Sequence, residues 1–327
     1  MSFSNCSRFP LALIALIAMA ALATACSKPV DRPGADVGTG MDSLVSAEWL
    51  SQHLDDPDLV VLDCSVSIEP DGTGGFRIAS GRAKYESGHI PTAGFADLMG
   101  DLSDGESELR FAVPGAEQFA AAMSALGVGN DSKVVLYDTS NSAWAARVWW
   151  MLRWIGFDRA ALLDGGLAAW IADGRPLSTE PASPVPGKLT VKLRPELIVG
   201  RDEVLAAIQD DSASIIDALS EAQYRGEMSM YARPGHITGA SNVPMTSLMD
   251  ETGRYRPQAE LDVLFEGDPD TRAITYCGGG IAASANAFVL TRLGYKDVAV
   301  YTASLQEWAA DPSLPMEVAP DLKATDE

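Results

Sequence analysis

Two stretches of this chain repeat one another, and that repeat limits the possible folds more than any other feature. The first copy runs VVLDC (60–64), SGHIPTAGF (87–95), VVLYD (134–138) and ALLDGGLAAW (161–170). The second runs IIDAL (215–219), PGHITGASNVP (234–244), ITYC (274–277) and VAVYTASLQEW (298–308). The order is identical and the spacings are close, as expected of a doubled structural unit. Short β-branched or apolar runs of strand length alternate with helical patterns such as AEWLSQHL (47–54), AEQFAAAMSALG (116–127) and RDEVLAAI (201–208). Buried strands alternating with helices imply a mostly parallel sheet with helices on both faces. The expectation is therefore an α/β chain with two tandem domains, 42–175 and 190–311. Residues 176–189 carry four prolines and read as a semi-rigid linker. The acidic, proline-containing end, 312–327, reads as a poorly ordered tail or a strap.

The N-terminal stretch stands apart from this pattern. Leu11–Ala25 is an apolar run of signal-peptide length, shorter than a membrane-spanning helix requires. It ends in Leu22-Ala23-Thr24-Ala25-Cys26, small residues directly before a cysteine. That pattern resembles a bacterial lipoprotein signal: 1–25 is removed, Cys26 takes the lipid, and 26–41 is a flexible tether. An uncleaved anchor or an ordinary secretory signal are the alternatives. With no aspartate behind Cys26, the implied address is the outer membrane, facing the periplasm. The 24 basic and 45 acidic residues give a formal charge of −21. Such a surface argues against binding nucleic acid, and limits membrane contact to the lipid anchor.

Setting aside Cys6 and Cys26 leaves two of the four cysteines in the folded part, Cys64 and Cys277. An exported compartment permits a bridge between them. Cys277 is the more telling, because it follows a strand-like run and precedes three glycines, in TYCGGGIAASANAFVL (275–290). In parallel sheets the loops leaving the carboxyl ends of strands carry the ligand sites. Glycines there let successive amides converge on one point, and a helix begins near Ala282. Both features favour a thiolate, an anion or a persulfide sulfur. The competing readings are a small cysteine filling a buried turn and a nucleotide-binding turn. The spacing Gly278-x-Gly280-x-x-Ala283 formally fits the dinucleotide fingerprint, but the motif lies near the chain's end and no acidic residue closes the next strand. The repeat offers an internal control. The position matching Cys277 is Asp138, in a loop without glycines, so one site per chain is the simplest account.

These residues resemble a family. SGHIPTAGF, ALGVGNDSKVVLYD, ARVWWMLRWIGFDRAALLDGGLAAW, GHITGASNVP and the Cys277 loop are similar to the tandem-domain rhodanese-type sulfurtransferases, the thiosulfate and 3-mercaptopyruvate sulfurtransferases, over about 42–310. The resemblance implies two rhodanese-like domains, of which only the second has the catalytic cysteine. It makes Cys277 the sulfur carrier, with Gly278, Gly279, Gly280, Ile281, Ala282 and Ala283 holding the persulfide and no metal or organic cofactor. The donor is a small anion, thiosulfate or 3-mercaptopyruvate. The acceptor is cyanide, a thiol or a thioredoxin-like protein. Two fused domains cover each other's partner surface, so a monomer is expected.

The resemblance is imperfect around the site. The mercaptopyruvate enzymes resemble CGSGVTA, whereas Gly279 and Ala282 replace its hydroxyl residues. Their closing motif resembles YDGSWxEW, whereas Thr302 and Ala303 break it here. Gln223 stands where an arginine often does, leaving Arg225 as the expected anion-binding residue and Arg233 behind it. Asp217, His89 and Arg82 are further candidates, the aspartate more as a cap than a catalyst. His236 shares the GHI turn of His89 and reads as structural. Thiosulfate is the donor expected first and 3-mercaptopyruvate second. The departures also leave open a non-catalytic, binding or redox-sensing lipoprotein.

Overall fold

The computed structural model describes residues 41–72 and 75–318. The apolar run, Cys26 and the tail beyond 318 lie outside the described residues. Fourteen strands follow one another among those described: β1 Leu44–Val45, β2 Leu59–Asp63, β3 Val66–Pro70, β4 Phe76–Ser80, β5 Gly94–Phe95, β6 Lys133–Tyr137, β7 Ala160–Leu163, β8 Ile198–Val199, β9 Ala213–Asp217, β10 His236–Ile237, β11 Ser241–Asn242, β12 Arg272–Tyr276, β13 Val298–Tyr301 and β14 Met316–Glu317. The helices are α1 Ala47–His53, α2 Arg82–Ser87, α3 Ala116–Ala125, α4 Ala143–Trp154, α5 Gly166–Ala172, α6 Arg201–Asp210, α7 Glu221–Tyr224, α8 Gln258–Asp262, α9 Ile281–Leu293 and α10 Ser304–Trp308. None of these is long and apolar enough to cross a membrane.

The repeat in the sequence is a repeat in space. One sheet has the order β5-β2-β6-β7-β1 and the other β11-β9-β12-β13-β8, all parallel. The central register is matched too. Asp63 lies opposite Tyr137 in one sheet, and Asp217 opposite Tyr276 in the other. Each tyrosine hydroxyl accepts an amide from the GHI turn, Ile90 N at 3.2 Å and Ile237 N at 3.0 Å. Each turn histidine stacks on a tyrosine, His89 on Tyr85 and His236 on Tyr224, with centroids 4.0 and 3.7 Å apart.

The two repeats meet along α4 and α9. Ten of the twelve residues of α4 are buried, and a helix apolar on nearly every side belongs inside a core. Trp149 of α4 meets the ring of Phe288 of α9 edge-on, at 4.9 Å between centroids. One apolar cluster runs through both repeats across this contact. Residues 176–189 form neither helix nor strand, yet they are fastened to the first repeat. His89 and Ser178 exchange backbone hydrogen bonds, and Gly187 N donates to Ser124 O. The end of the described chain is a strap, with β14 pairing antiparallel to β10. The antiparallel hairpin β3–β4 is an addition that the alternating pattern does not foretell.

Candidate active site

Cys277 leaves the carboxyl end of β12, at the centre of its sheet and one residue beyond the Asp217–Tyr276 pair. Both Cys277 and Cys64 are free and buried, so no bridge joins them. Cys64 lies wholly inside the first repeat. Burial pushes its thiol well above the ordinary value, and the neighbouring Asp63 and Asp138 add to the effect. That is the setting of an inert core cysteine.

Cys277 is differently placed. Its loop is stitched to the start of α10: Cys277 N donates to Ser304 Oγ at 3.1 Å, Leu305 N to Cys277 O at 3.1 Å, and Gln306 N to Gly278 O at 3.1 Å. The loop then turns through Gly280, whose φ of +79° is costly for residues with a side chain, into α9 at Ile281, one residue earlier than expected. Among the described residues, the amides of Gly278 through Ala283 donate to no acceptor. Unpaired helix-start amides beside a turn of left-handed backbone form an anion cradle.

The glycines also make room for neighbours. A Cβ on Gly278 would overlap the Tyr231 hydroxyl, and one on Gly279 would overlap the Gln306 carboxamide nitrogen. One on Gly280 would lie 2.9 Å from both Thr302 O and Arg147 Nη1. Gln306 in turn clasps the other repeat. Its Oε1 accepts Arg110 N at 3.0 Å and its Nε2 donates to Arg110 O at 3.1 Å. Arg147, on α4 of the first repeat, donates from Nη2 to Phe111 O at 2.9 Å, while its Nε and Nη1 find no partner among the described residues. Burial lowers its pKa to about 10, and nearby Cys277 acts in the opposite sense. The cysteine loop thus has a buried guanidinium from the other repeat close by.

Cys277 opens into a cleft of about 610 Å³ lined by both repeats. The second repeat contributes the loop, Leu219, Gln223, Tyr231, Met245 and Gln306. The first contributes Trp144, Phe111, Ser140, Asn141, Glu108 and Arg110, together with Ile68 and Ile78 of the hairpin. Burial, and then the charge of Cys277, raise the pKa of the Tyr231 hydroxyl, while Arg110 draws it down.

The remaining candidates are placed as follows. Arg225 does not line the cleft; its guanidinium engages Glu227 at 2.9 Å and Glu221 at 3.7 Å. Arg233 donates to the carbonyls of Ala309, Leu314, Trp308 and Asp311, which binds the strap to α10. Asp217 is buried, with Oδ1 accepting Leu219 N at 2.7 Å. Burial raises its pKa to about 6, with the Leu219 amide and the Tyr276 hydroxyl acting in the opposite sense. Its place is that of a cap behind the loop. The ring nitrogens of His89 lie 2.8 Å from Tyr85 O and 3.0 Å from Glu180 O, which ties the first repeat to the linker. Arg82 is exposed, 4.0 Å from Asp97 and 4.7 Å from the centroid of Phe95. Neither lines the cleft. The sequence reading passed over Arg110, Trp144, Arg147, Tyr231 and Gln306. Arg147 stands within a motif that carries the family resemblance, and Gln306 within the closing motif that departs from it, so both lay in stretches already singled out.

A doubled parallel α/β fold whose two repeats enclose one strand-end cysteine in an open amide cradle is an architecture for covalent chemistry at sulfur. Comparison with known proteins agrees. The rhodanese-like domain model matches residues 46–173 and again 200–311. A 3-mercaptopyruvate sulfurtransferase of Escherichia coli K12 is 36% identical over 279 residues, 84% of this chain and 97% of that protein. A thiosulfate sulfurtransferase of Cricetulus griseus is 32% identical over 81% of this chain and 91% of its own length. The crystal structure of SseA from Escherichia coli, a 3-mercaptopyruvate sulfotransferase of "Rhodanese" fold, superposes with a TM-score of 0.72 at 35% identity, covering 81% of this chain and 99% of that one. The chain belongs to the rhodanese-like family, as a tandem-domain sulfurtransferase.

Proposed function

We propose that this protein is a 3-mercaptopyruvate sulfurtransferase that carries sulfur on Cys277. The observation that carries this reading is the contrast between the unpaired amides of Gly278–Ala283 and the absence of charge in the loop itself. The cradle suits an anionic sulfur, yet offers no cationic side chain of its own to a dianion such as thiosulfate. The relatives named for 3-mercaptopyruvate support that donor over thiosulfate, the one expected first from the sequence.

The chemistry balances without a cofactor. The Cys277 thiolate attacks the donor sulfur, and the carbon–sulfur bond breaks towards carbon. The electron pair is held as the pyruvate enolate, and the proton leaving the donor sulfur ends on the methyl carbon. Cys277 is left as a persulfide anion in the cradle, where the amides stabilise the charge. An acceptor thiolate then attacks the terminal sulfur and releases the Cys277 thiolate. Trp144, Tyr231 and Met245 wall the cleft and restrict water around the persulfide.

Donor competition tests the assignment. With both donors present at equal concentration and a small thiol as acceptor, pyruvate release should exceed sulfite release by about tenfold or more. Sulfite as the main product would return the assignment to thiosulfate. From the sequence we also propose a lipid anchor on Cys26 that holds the enzyme at the outer membrane facing the periplasm. Radiolabelled palmitate should enter the full chain and not Cys26→Ala; labelling of both would remove the anchor.

A further inference from the structure

We propose that Arg110, supplied by the first repeat, binds the carboxylate of the sulfur donor whose sulfur is attacked by Cys277 of the second. This inference rests on the sulfur-transfer reading above. The other arginines near the site do not line the cleft. Arg225 pairs with two glutamates, Arg233 is wrapped in four carbonyls, and Arg147 is buried with one nitrogen on Phe111 O. Among the described residues that line the cleft, the charged ones are Arg110 and Glu108, and Gln223 is uncharged. Arg110 makes no side-chain ion pair among the described residues.

Three features make Arg110 more than an exposed cation. Its backbone is gripped at both N–H and C=O by the Gln306 carboxamide, so the residue is fixed at the cleft before any donor arrives. The same carboxamide nitrogen occupies the space a side chain at 279 would need, so the cysteine loop and Arg110 are positioned by one group. The Tyr231 hydroxyl packs on Gly278, and Tyr231 lines the same cleft as Cys277 and Arg110. A guanidinium matches a carboxylate with two parallel hydrogen bonds. With Glu108 also on the wall, the lining is close to neutral, which favours a monoanionic donor over a dianion.

The test is the rate at which Cys277 becomes a persulfide, followed by quenched mixing and mass spectrometry over a range of 3-mercaptopyruvate concentrations. The proteins are the full chain, Arg110→Ala and Arg110→Lys. Arg110→Ala should raise the donor concentration for half-maximal loading about tenfold and leave the maximal loading rate within about twofold, as expected for lost ground-state binding. Salt should weaken loading of the unsubstituted chain and have little effect on Arg110→Ala. Arg110→Lys should recover part of the loss, because charge is kept and the fork is not. An unchanged half-maximal concentration and salt response in Arg110→Ala would overturn the proposal. A folded, unsubstituted chain that never loads Cys277 would overturn the sulfur-transfer reading itself, and Arg110's role with it.

Discussion

The loops after β6 and β12 start from the same place and reach opposite ends. Each leaves the central strand of a parallel sheet, passes a left-handed residue, Ser142 or Gly280, and enters the long helix at the contact between repeats. In the first repeat the strand-end residue is Asp138. Its carboxylate accepts Ser140 N at 2.8 Å, Ser142 N at 3.1 Å and Ala145 N at 3.1 Å. That loop supplies its own acceptor and is closed. In the second repeat the strand-end residue is Cys277, and the corresponding amides are left for something else. The difference teaches how a duplicated frame becomes an asymmetric enzyme. One copy satisfies its cradle internally and lends a wall with Arg110 and Trp144, while the other leaves its amides unpaired, as the proposed sulfur carrier requires.

The largest effect is expected at Cys277. Cys277→Ser should lower turnover at least about a thousandfold, since the attacking sulfur is lost, while the fold persists by circular dichroism. The mirror experiment is Asp138→Ala, which leaves three amides without their acceptor. Denaturant titration should show a loss of about 3–5 kcal/mol, and a change under about 1 kcal/mol would mean the first loop is not held by its aspartate.

Next come the aspartates at matching strand ends, Asp63 and Asp217, whose pKa values are both raised by burial. Asp217 reaches about 6 in the folded chain from an ordinary value of 3.8. The folded state therefore binds its proton more tightly than the unfolded state. The resulting stability is complete below about pH 4 and is lost as pH rises through about 6. Relative to Asp217→Asn, the unsubstituted chain should lose roughly 3 kcal/mol over that window. Parallel stability curves for the two proteins would contradict the assignment. The smallest effect concerns the glycine that departs from the family pattern. Gly279→Ser should push Gln306 off Arg110 and cut kcat/KM about tenfold, and adding Gln306→Ala should recover part of it. Strict additivity of the two changes would sink that coupling.

The frame and the nucleophile were legible because their signals are local. VVLDC and IIDAL announce strands by composition, and Cys277 before three glycines announces a turn that needs free backbone. The residues that complete the cleft were not legible in the same way. The Gln306–Arg110 clasp joins residues 196 positions apart, so no window along the chain contains it. Gly279 looked like a lost serine until the structure showed Gln306 in the space a side chain would need. Arg225 looked free for an anion, although Glu221 four residues before it and Glu227 two after were available partners from the start. Hairpin β3–β4 escaped because Phe76 and Ile68 are largely exposed, so no buried face imposed an alternating pattern.

The central claim is that the open loop, and not the closed one or the buried thiol, carries the sulfur. Intact and tandem mass spectrometry of the reduced full chain after exposure to 3-mercaptopyruvate tests it most directly. The expected result is a gain of a single sulfur atom, located on Cys277, absent from Cys64 and absent from Cys277→Ser. No gain on the unsubstituted chain, or a gain that survives Cys277→Ser, would contradict it.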